Sequence, residues 1–321
     1  MNTNGEEWSD RTRQWVINAV HPEARLLSAR RLQGGISSLV YLIELEIGDS
    51  KREVVLRQFD NADWLRSEPD LALHEAMALR QAAICSVSPT PQLLAFDESG
   101  ASSGCPSVLM TKLEGKVVLE PKDLSHWVDG MAEAIALFHR ASGTGNQPRA
   151  DQDKYAMPFR WNYAPYSDAA LLDASAWSVI PSSWKEASAI LRKPAPRYEK
   201  LFIHRDFHPA NVLWSGNKVS GIVDWVNACT GPAGIDVGHC RVNLSQLYSV
   251  SLADEFLACY IRHAKEAFDY DPYWDLATLA DFSGEPPNVY KGWTDLGVTG
   301  LTDALMGERL DQYLRSVLKR L

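Results

Sequence analysis

The sequence predicts an α+β fold: a small antiparallel sheet carrying one helix, followed by a larger, mainly helical half. Three observations predict it. Two alternating apolar runs, 39–47 and 53–59, flank Gly48-Asp49-Ser50, the pattern of a β-hairpin with one buried face. Leu124, Trp127, Met131, Ile135 and Phe138 recur at offsets of 0, 3, 7, 11 and 14, which places them on one stripe of an α-helix. A second hairpin, 212–214 with 219–224 around Gly216-Asn217, precedes a C-terminal stretch of helical character.

Taken in order, residues 8–20 read as a short opening helix. In the first hairpin Tyr41, Ile43, Leu45 and Ile47 share a face, and Val55, Arg57 and Phe59 share another. Arg57 therefore stands among apolar neighbours and needs an acidic partner. Residues 70–84 have helix character, with Asp70 as a cap, Glu75 in the first turns, and Leu73, Met77 and Ile84 on a stripe. After Pro89 and Pro91, β-like runs at 92–96 and 108–111 flank a Gly/Ser-rich loop and complete the small sheet. The chain is thus expected to divide into a unit over 1–111 and a second over 112–321. Within the second, 124–138 is the main helical beam, and 155–184 is irregular but crowded with aromatic residues. Leu201-Phe202-Ile203 leads into a polar segment ending at Asn211, and Leu310, Leu314, Val317 and Leu321 mark a final helix.

A chain of 321 residues with 45% hydrophobic side chains can bury a sizeable core without disulfides or a structural metal. Its cysteines form no C-x-x-C pair, so neither a zinc ribbon nor a disulfide framework is indicated. A formal charge of −9, with no basic segment, argues against nucleic acid and anionic membranes as partners. No export signal and no apolar stretch near 18 residues is visible, and a cytoplasmic location is expected.

Chemistry concentrates between strands. Asp206, Asn211 and Asp224 each stand at the end of an apolar run, where a residue serving only solvation would be poorly placed. Singly, each also suits a cap or a turn; together they suggest a site. Asn211 and Asp224, entering from opposite arms of a hairpin, can share Mg2+, whose preferred ligands are carboxylate, amide oxygen, water and phosphate. Asp206, five residues before Asn211, can then reach a substrate hydroxyl. That layout suits phosphoryl transfer.

These motifs resemble the aminoglycoside phosphotransferase and choline kinase family. His204-x-Asp206-x-x-x-x-Asn211 followed by Ile222-Val223-Asp224-Trp225 looks like the family's catalytic and metal-binding loops, and the likeness extends over 32–240. The resemblance implies a protein-kinase-like two-lobed fold and transfer of the γ-phosphoryl group of ATP to a hydroxyl of a small molecule. On it, Asp206 is the catalytic carboxylate, Asn211 and Asp224 hold Mg2+, and Gly34, Gly35, Ser37 and Ser38 belong to the nucleotide-covering loop. Arg57 falls where the family has its strand lysine, and Glu75 where that lysine's helix partner stands. Met110 and Leu113 belong to the hinge carrying the adenine contacts. Asp236 braces the catalytic loop, and His204 is a packed support.

Three departures from the family pattern stand out. Arg57 replaces lysine, and its planar fork is not interchangeable with an ammonium. The glycine loop is not G-x-G-x-x-G. Asp224-Trp225-Val226 stands in place of Asp-Phe-Gly with no long activation segment after it, which disfavours a protein kinase. Two other readings accompany this one: a nucleotide-binding scaffold of little activity, motivated by Arg57, and a metal-dependent hydrolase using His204, Asp206 and His208, with His239 or Cys240 as a further ligand. For the acceptor, Trp161, Tyr163, Trp225 and Trp274 can stack on a sugar or surround an amine. The acidic surplus of 204–321, with 15 acidic against 10 basic residues, is compatible with a cationic acceptor, although Asp254, Glu255 and Asp269 also suit solvated helix faces.

Overall fold

The computed structural model describes residues 8–32, 38–85, 89–143, 159–165, 174–282 and 285–321. The first helix, α1 (Asp10–Val20), is capped by Ser9, whose side chain accepts from the Thr12 N–H. It leads into the strands β1 (Arg25–Arg31), β2 (Leu39–Ile47) and β3 (Ser50–Gln58), then the helices α2 (Ala62–Ser67) and α3 (Leu71–Cys85), then β4 (Leu93–Asp97) and β5 (Ser107–Thr111). The five strands form one antiparallel sheet in the order β1-β2-β3-β5-β4. The register pairs Tyr41 with Leu56 and Ile43 with Val54, so these residues share the face that packs on Val16 of α1. The opposite face, where Val40 pairs with Arg57 and Val55 with Met110, looks into a cleft.

Two local features differ from the sequence reading. β1 carries no alternating burial and is mostly exposed; three arginines on an edge strand resist edge-to-edge pairing and erase the period-2 signal. Ile84, expected on the buried stripe of α3, is 43% exposed, while most of the helix around it is buried. A helix enclosed on most sides has no single stripe to read.

The larger half begins with the short β6 (Lys116–Val117) and α4 (Leu124–Ala141), continues through α5 (Pro181–Leu191), β7 (Leu201–Ile203), β8 (Val212–Ser215), β9 (Lys218–Ile222) and β10 (Cys229–Gly231), and ends in α6 (Ala233–Leu247), α7 (Val250–Ala264), α8 (Tyr273–Ala280), α9 (Lys291–Asp295) and α10 (Asp303–Leu318). Asp123 caps α4 by accepting from the His126 N–H at 3.0 Å. Trp127, Met131, Ile135 and Phe138 of α4 are buried with Phe202, Trp225 and Phe256, and each such large side chain contributes roughly 1.5–3 kcal/mol on burial. The result is a two-lobed, protein-kinase-like arrangement: a sheet lobe with α3 packed on it, and a larger helical lobe.

Helix α6 runs through the middle of that lobe, touching α7, α8 and α10. Glycine at 234 permits the approach of α8, because a Cβ there would lie 2.6 Å from the Trp274 ring. The charged residue in α6's core is compensated: Arg241 is fully buried and pairs with Asp275 and, at 2.7 Å, with Asp254. Asp254 also meets Arg320 at 2.7 Å, so it serves the lobe's own ion pairs. Among the described residues, no helix is long and apolar enough to cross a membrane.

Candidate functional site

The segment after β7 is held from beneath by one buried carboxylate. Asp236, in the first turn of α6, accepts from the backbone N–H of His204 at 2.8 Å and of Arg205 at 2.5 Å. It also accepts from His139 Nε2 at 2.8 Å, while the Tyr260 hydroxyl donates to His139 Nδ1 at 2.7 Å. Burial alone would push the Asp236 carboxyl up, but the His139 bond, the charges of His139 and His204 and the His204 N–H hold it below the usual range. The brace is needed because Arg205 has φ 67°, a left-handed conformation costly for a residue with a Cβ. His204 adds a second tie: its Nδ1 accepts from the Asp206 N–H at 3.3 Å, and its Nε2 donates to Val223 O at 2.9 Å.

This scaffold presents Asp206, half-buried, at the surface of the loop. His239, on α6 one turn after Asp236, donates from Nε2 to Asp206 Oδ1 at 3.0 Å, and His208 Nε2 lies 3.8 Å from the same oxygen. Burial raises the Asp206 carboxyl, yet the His239 bond and the fields of His208, His239 and His204 outweigh it and leave Asp206 well below its ordinary range. Burial pushes His208 down to about 4, so its ring is neutral near pH 7.

The β8–β9 hairpin sets the next two groups side by side. Val212 pairs with Ile222, and the Val223 N–H donates to Asn211 O at 3.0 Å, which brings Asp224 next to Asn211. Asn211 donates from Nδ2 to Asp206 O at 2.9 Å, leaving its amide oxygen for a cation. Asp224 is held at φ 68°. An amide oxygen and a carboxylate set side by side are a donor pair compatible with Mg2+, which keeps waters and phosphate oxygens in its shell. The same donor set does not suit a protein-only metal cage, and no cluster of three His, Cys, Asp or Glu among the described residues can form one.

Geometry also overturns the hydrolase reading. Both ring nitrogens of His204 are engaged by backbone groups, because the ring packs under the loop against Trp225 at 4.5 Å between centroids. Cys240 is fully buried.

Arg57 finds its acidic partners across the two lobes. Its Nη1 donates to Glu75 Oε1 at 3.0 Å and to Asp224 Oδ1 at 2.5 Å, and its Nε donates to Ser38 Oγ at 2.8 Å. Burial opposes its charge, but Asp224 and Glu75 outweigh burial and hold the guanidinium above its ordinary range. Glu75, also buried, is pushed up by desolvation, with Arg57 pulling back, and its Oε2 has no partner among the described residues. A lysine offers one nitrogen where the fork offers separated donors. Replacing Arg57 with Lys is therefore expected to cost about 1.5–3 kcal/mol of stability, the worth of one charge-assisted hydrogen bond; chemical denaturation of the variant beside wild type checks it.

Arg57, Glu75, Asp206, His208, Asn211 and Asp224 border one cleft of about 580 Å³. Val40, Leu42, Val55, Met110, Leu113 and Leu213 supply apolar walls, and Arg57, Asp206, Asn211 and Asp224 supply a polar end. A second cavity of about 520 Å³ adjoins it and shares Asp206, His208 and Tyr290; Asp281, Glu285, Phe282 and Trp293 also line it. Gly34, Gly35 and Ser37 lie outside the described residues.

The four aromatic acceptor candidates line neither cavity. Trp225 is fully buried, bonded to Ile222 O at 3.0 Å and stacked on Phe202. Trp274 is buried against Gly234. Trp161 stacks on His74 at 4.3 Å, a ring that burial pushes down to about 4, and Tyr163 lies under the Arg205 guanidinium. Sequence reasoning missed His239 as a partner of Asp206, for which the three-residue spacing from Asp236 was the available signal. It missed Asp281, Glu285 and Tyr290 because their segment has no period.

Comparison with known proteins agrees with this architecture. A family model described as "phosphotransferase enzyme family" matches residues 28–273. Homoserine kinase of Brucella anthropi is 30% identical over 147 residues, covering 44% of this chain and 42% of that protein, so the match spans less than half of that relative. Among solved structures, a thermostable mutant of aminoglycoside phosphotransferase APH(4)-Ia aligns with a TM-score of 0.58 at 17% identity, covering 94% of this chain and 98% of that one. Macrolide 2'-phosphotransferase MphH from Brachybacterium faecium aligns at 0.57 and 15%, over 94% and 98%. Amicoumacin kinase hAmiN aligns at 0.54 and 13%, over 94% and 93%. At these identities the solved structures speak for the fold.

Proposed function

The chain belongs to the phosphotransferase enzyme family, and on that premise we propose that it transfers the γ-phosphoryl group of ATP to a hydroxyl of a small molecule. The observation that carries this reading is the convergence of Asp206, Asn211, Asp224 and Arg57 in an apolar-walled cleft that shares Asp206 with a neighbouring cavity. The apolar walls, with Met110 and Leu113, take the base. Arg57 draws the α and β phosphates. Asn211 and Asp224 hold Mg2+, which when bound neutralises charge on the phosphate oxygens. Asp206, ionised and oriented by His239, aligns the acceptor hydroxyl and takes its proton as transfer proceeds.

The second cavity supports a narrower reading of the acceptor. Asp206, Asp281 and Glu285 line it, and no Arg or Lys is among its described lining residues. A carboxylate-bearing acceptor, homoserine included, would find no Arg or Lys among those residues to meet its anion, only His208 and His239. We therefore favour a neutral or cationic hydroxylated molecule. The test is ADP release from MgATP against a panel of amino sugars, amino alcohols, neutral sugars and hydroxy acids. Turnover with neutral or amine-bearing alcohols is the expected result. Turnover confined to hydroxy acids would reverse the acceptor assignment, and nucleotide binding without ADP release on any acceptor would favour the scaffold reading.

A further inference from the structure

The nucleotide cleft and the second cavity meet at Tyr290, which lines both. Its ring stands edge-on to His208 at 5.8 Å and to Trp293 at 5.6 Å. Its backbone carbonyl accepts from the Trp293 N–H at 3.0 Å, at the start of α9. Gly292 lets the ring lie against the main chain, because a Cβ at that position would come within 2.4 Å of Tyr290 Cε1. The side chain, 37% exposed, thus packs against His208, Trp293 and Gly292, while its hydroxyl makes no hydrogen bond to a described residue. Partial burial, then the fields of Asp206 and Asp224, push the phenol above its usual range. Such a group can donate to an anion but will not itself become one.

Resting on the phosphotransfer reading, we propose that the Tyr290 hydroxyl donates a hydrogen bond to the phosphoryl group as it passes from the nucleotide cleft to the acceptor cavity. In that step the bond between the γ-phosphorus and the ADP oxygen breaks, and a bond from the acceptor oxygen to phosphorus forms. The acceptor's proton goes to Asp206, and Tyr290 keeps its own. Tyr290 lines the same two cavities as Asp206 and lies in the field of Asp206 and Asp224, so a donor there offsets their repulsion of the phosphoryl oxygens at the crossing point.

The test compares the wild-type chain with Tyr290→Phe and Tyr290→Ala, using MgATP with water and with the acceptor panel, and AMP-PNP for binding. Phe preserves the ring contacts, so Tyr290→Phe should keep its melting temperature and bind AMP-PNP within about threefold of wild type. Its kcat should fall by about 10- to 100-fold, the loss of one hydrogen bond to a charged group, with the KM for ATP little changed. If Tyr290→Phe turns over like wild type while Tyr290→Ala is impaired, the residue serves packing alone and the proposal is overturned. A wild-type chain that releases no ADP with water or any acceptor overturns the phosphotransfer reading itself, a result distinct from an active Tyr290→Phe.

Discussion

Replacing Asp206 with Asn is expected to lower ADP release by about 10²- to 10⁴-fold, the range for loss of a positioned proton acceptor, while the affinity for an ATP analogue stays close to wild type. The amide keeps the shape of the carboxylate but cannot take the acceptor's proton. It also loses the charge that His239 approaches at 3.0 Å. Steady-state kinetics paired with analogue titration separates the two effects, and a mutant with near-normal turnover would remove Asp206 from the mechanism. The pH dependence follows from the direction of its shift. Burial raises the Asp206 carboxyl, the His239 bond and neighbouring histidines outweigh it, and the net position is below the ordinary value of 3.8. The stabilisation from ionised Asp206 is therefore fully present above that ordinary value and is lost only as pH falls through the lower folded-state value. No loss of rate arising from Asp206 protonation is expected between about pH 5 and 8, and a limb in that window that vanishes in Asp206→Asn would contradict the assignment.

The second large effect is expected at Asp236. Its carboxylate accepts from two backbone N–H groups and one imidazole, all in a fully buried position. Truncation to Ala leaves those donors without a partner under a loop whose Arg205 is already at φ 67°. Breaking such a buried charged network costs about 3–5 kcal/mol. Asp236→Ala should therefore lower the unfolding free energy by that amount and also depress turnover, because the misplaced loop carries Asp206. Asp236→Asn should recover part of the stability, since one amide oxygen still accepts. Urea denaturation of both variants, read beside their ADP release, checks the order wild type, Asn, Ala; equal stability of all three would mean that the loop holds itself.

Much of the architecture was legible because its signals are local. The alternation in β2 and β3 and the stripe of α4 are properties of neighbouring residues, and burial of one face follows from them. β1 was not legible, since an exposed edge strand with three arginines has no apolar alternation to detect. α6 was equally opaque for the opposite reason: it is buried on almost every side, so its polar Asp236, Arg241 and Asn243 interrupt the pattern while remaining inside.

By itself the sequence indicated that Asp206, Asn211 and Asp224 lie close together, because a short turn and one hairpin connect them. It also determined that Arg57, flanked by apolar neighbours, would need a carboxylate. Only the tertiary structure decided that this arginine bridges Glu75 and Asp224, residues 18 and 167 positions away. It likewise kept Trp161, Tyr163, Trp225 and Trp274 out of both cavities, and put Tyr290 at both and Asp281 and Glu285 at the second. The physical reason is that an aromatic ring gains free energy from burial in a core as readily as from a ligand, and which of the two it meets depends on helices packed from distant parts of the chain.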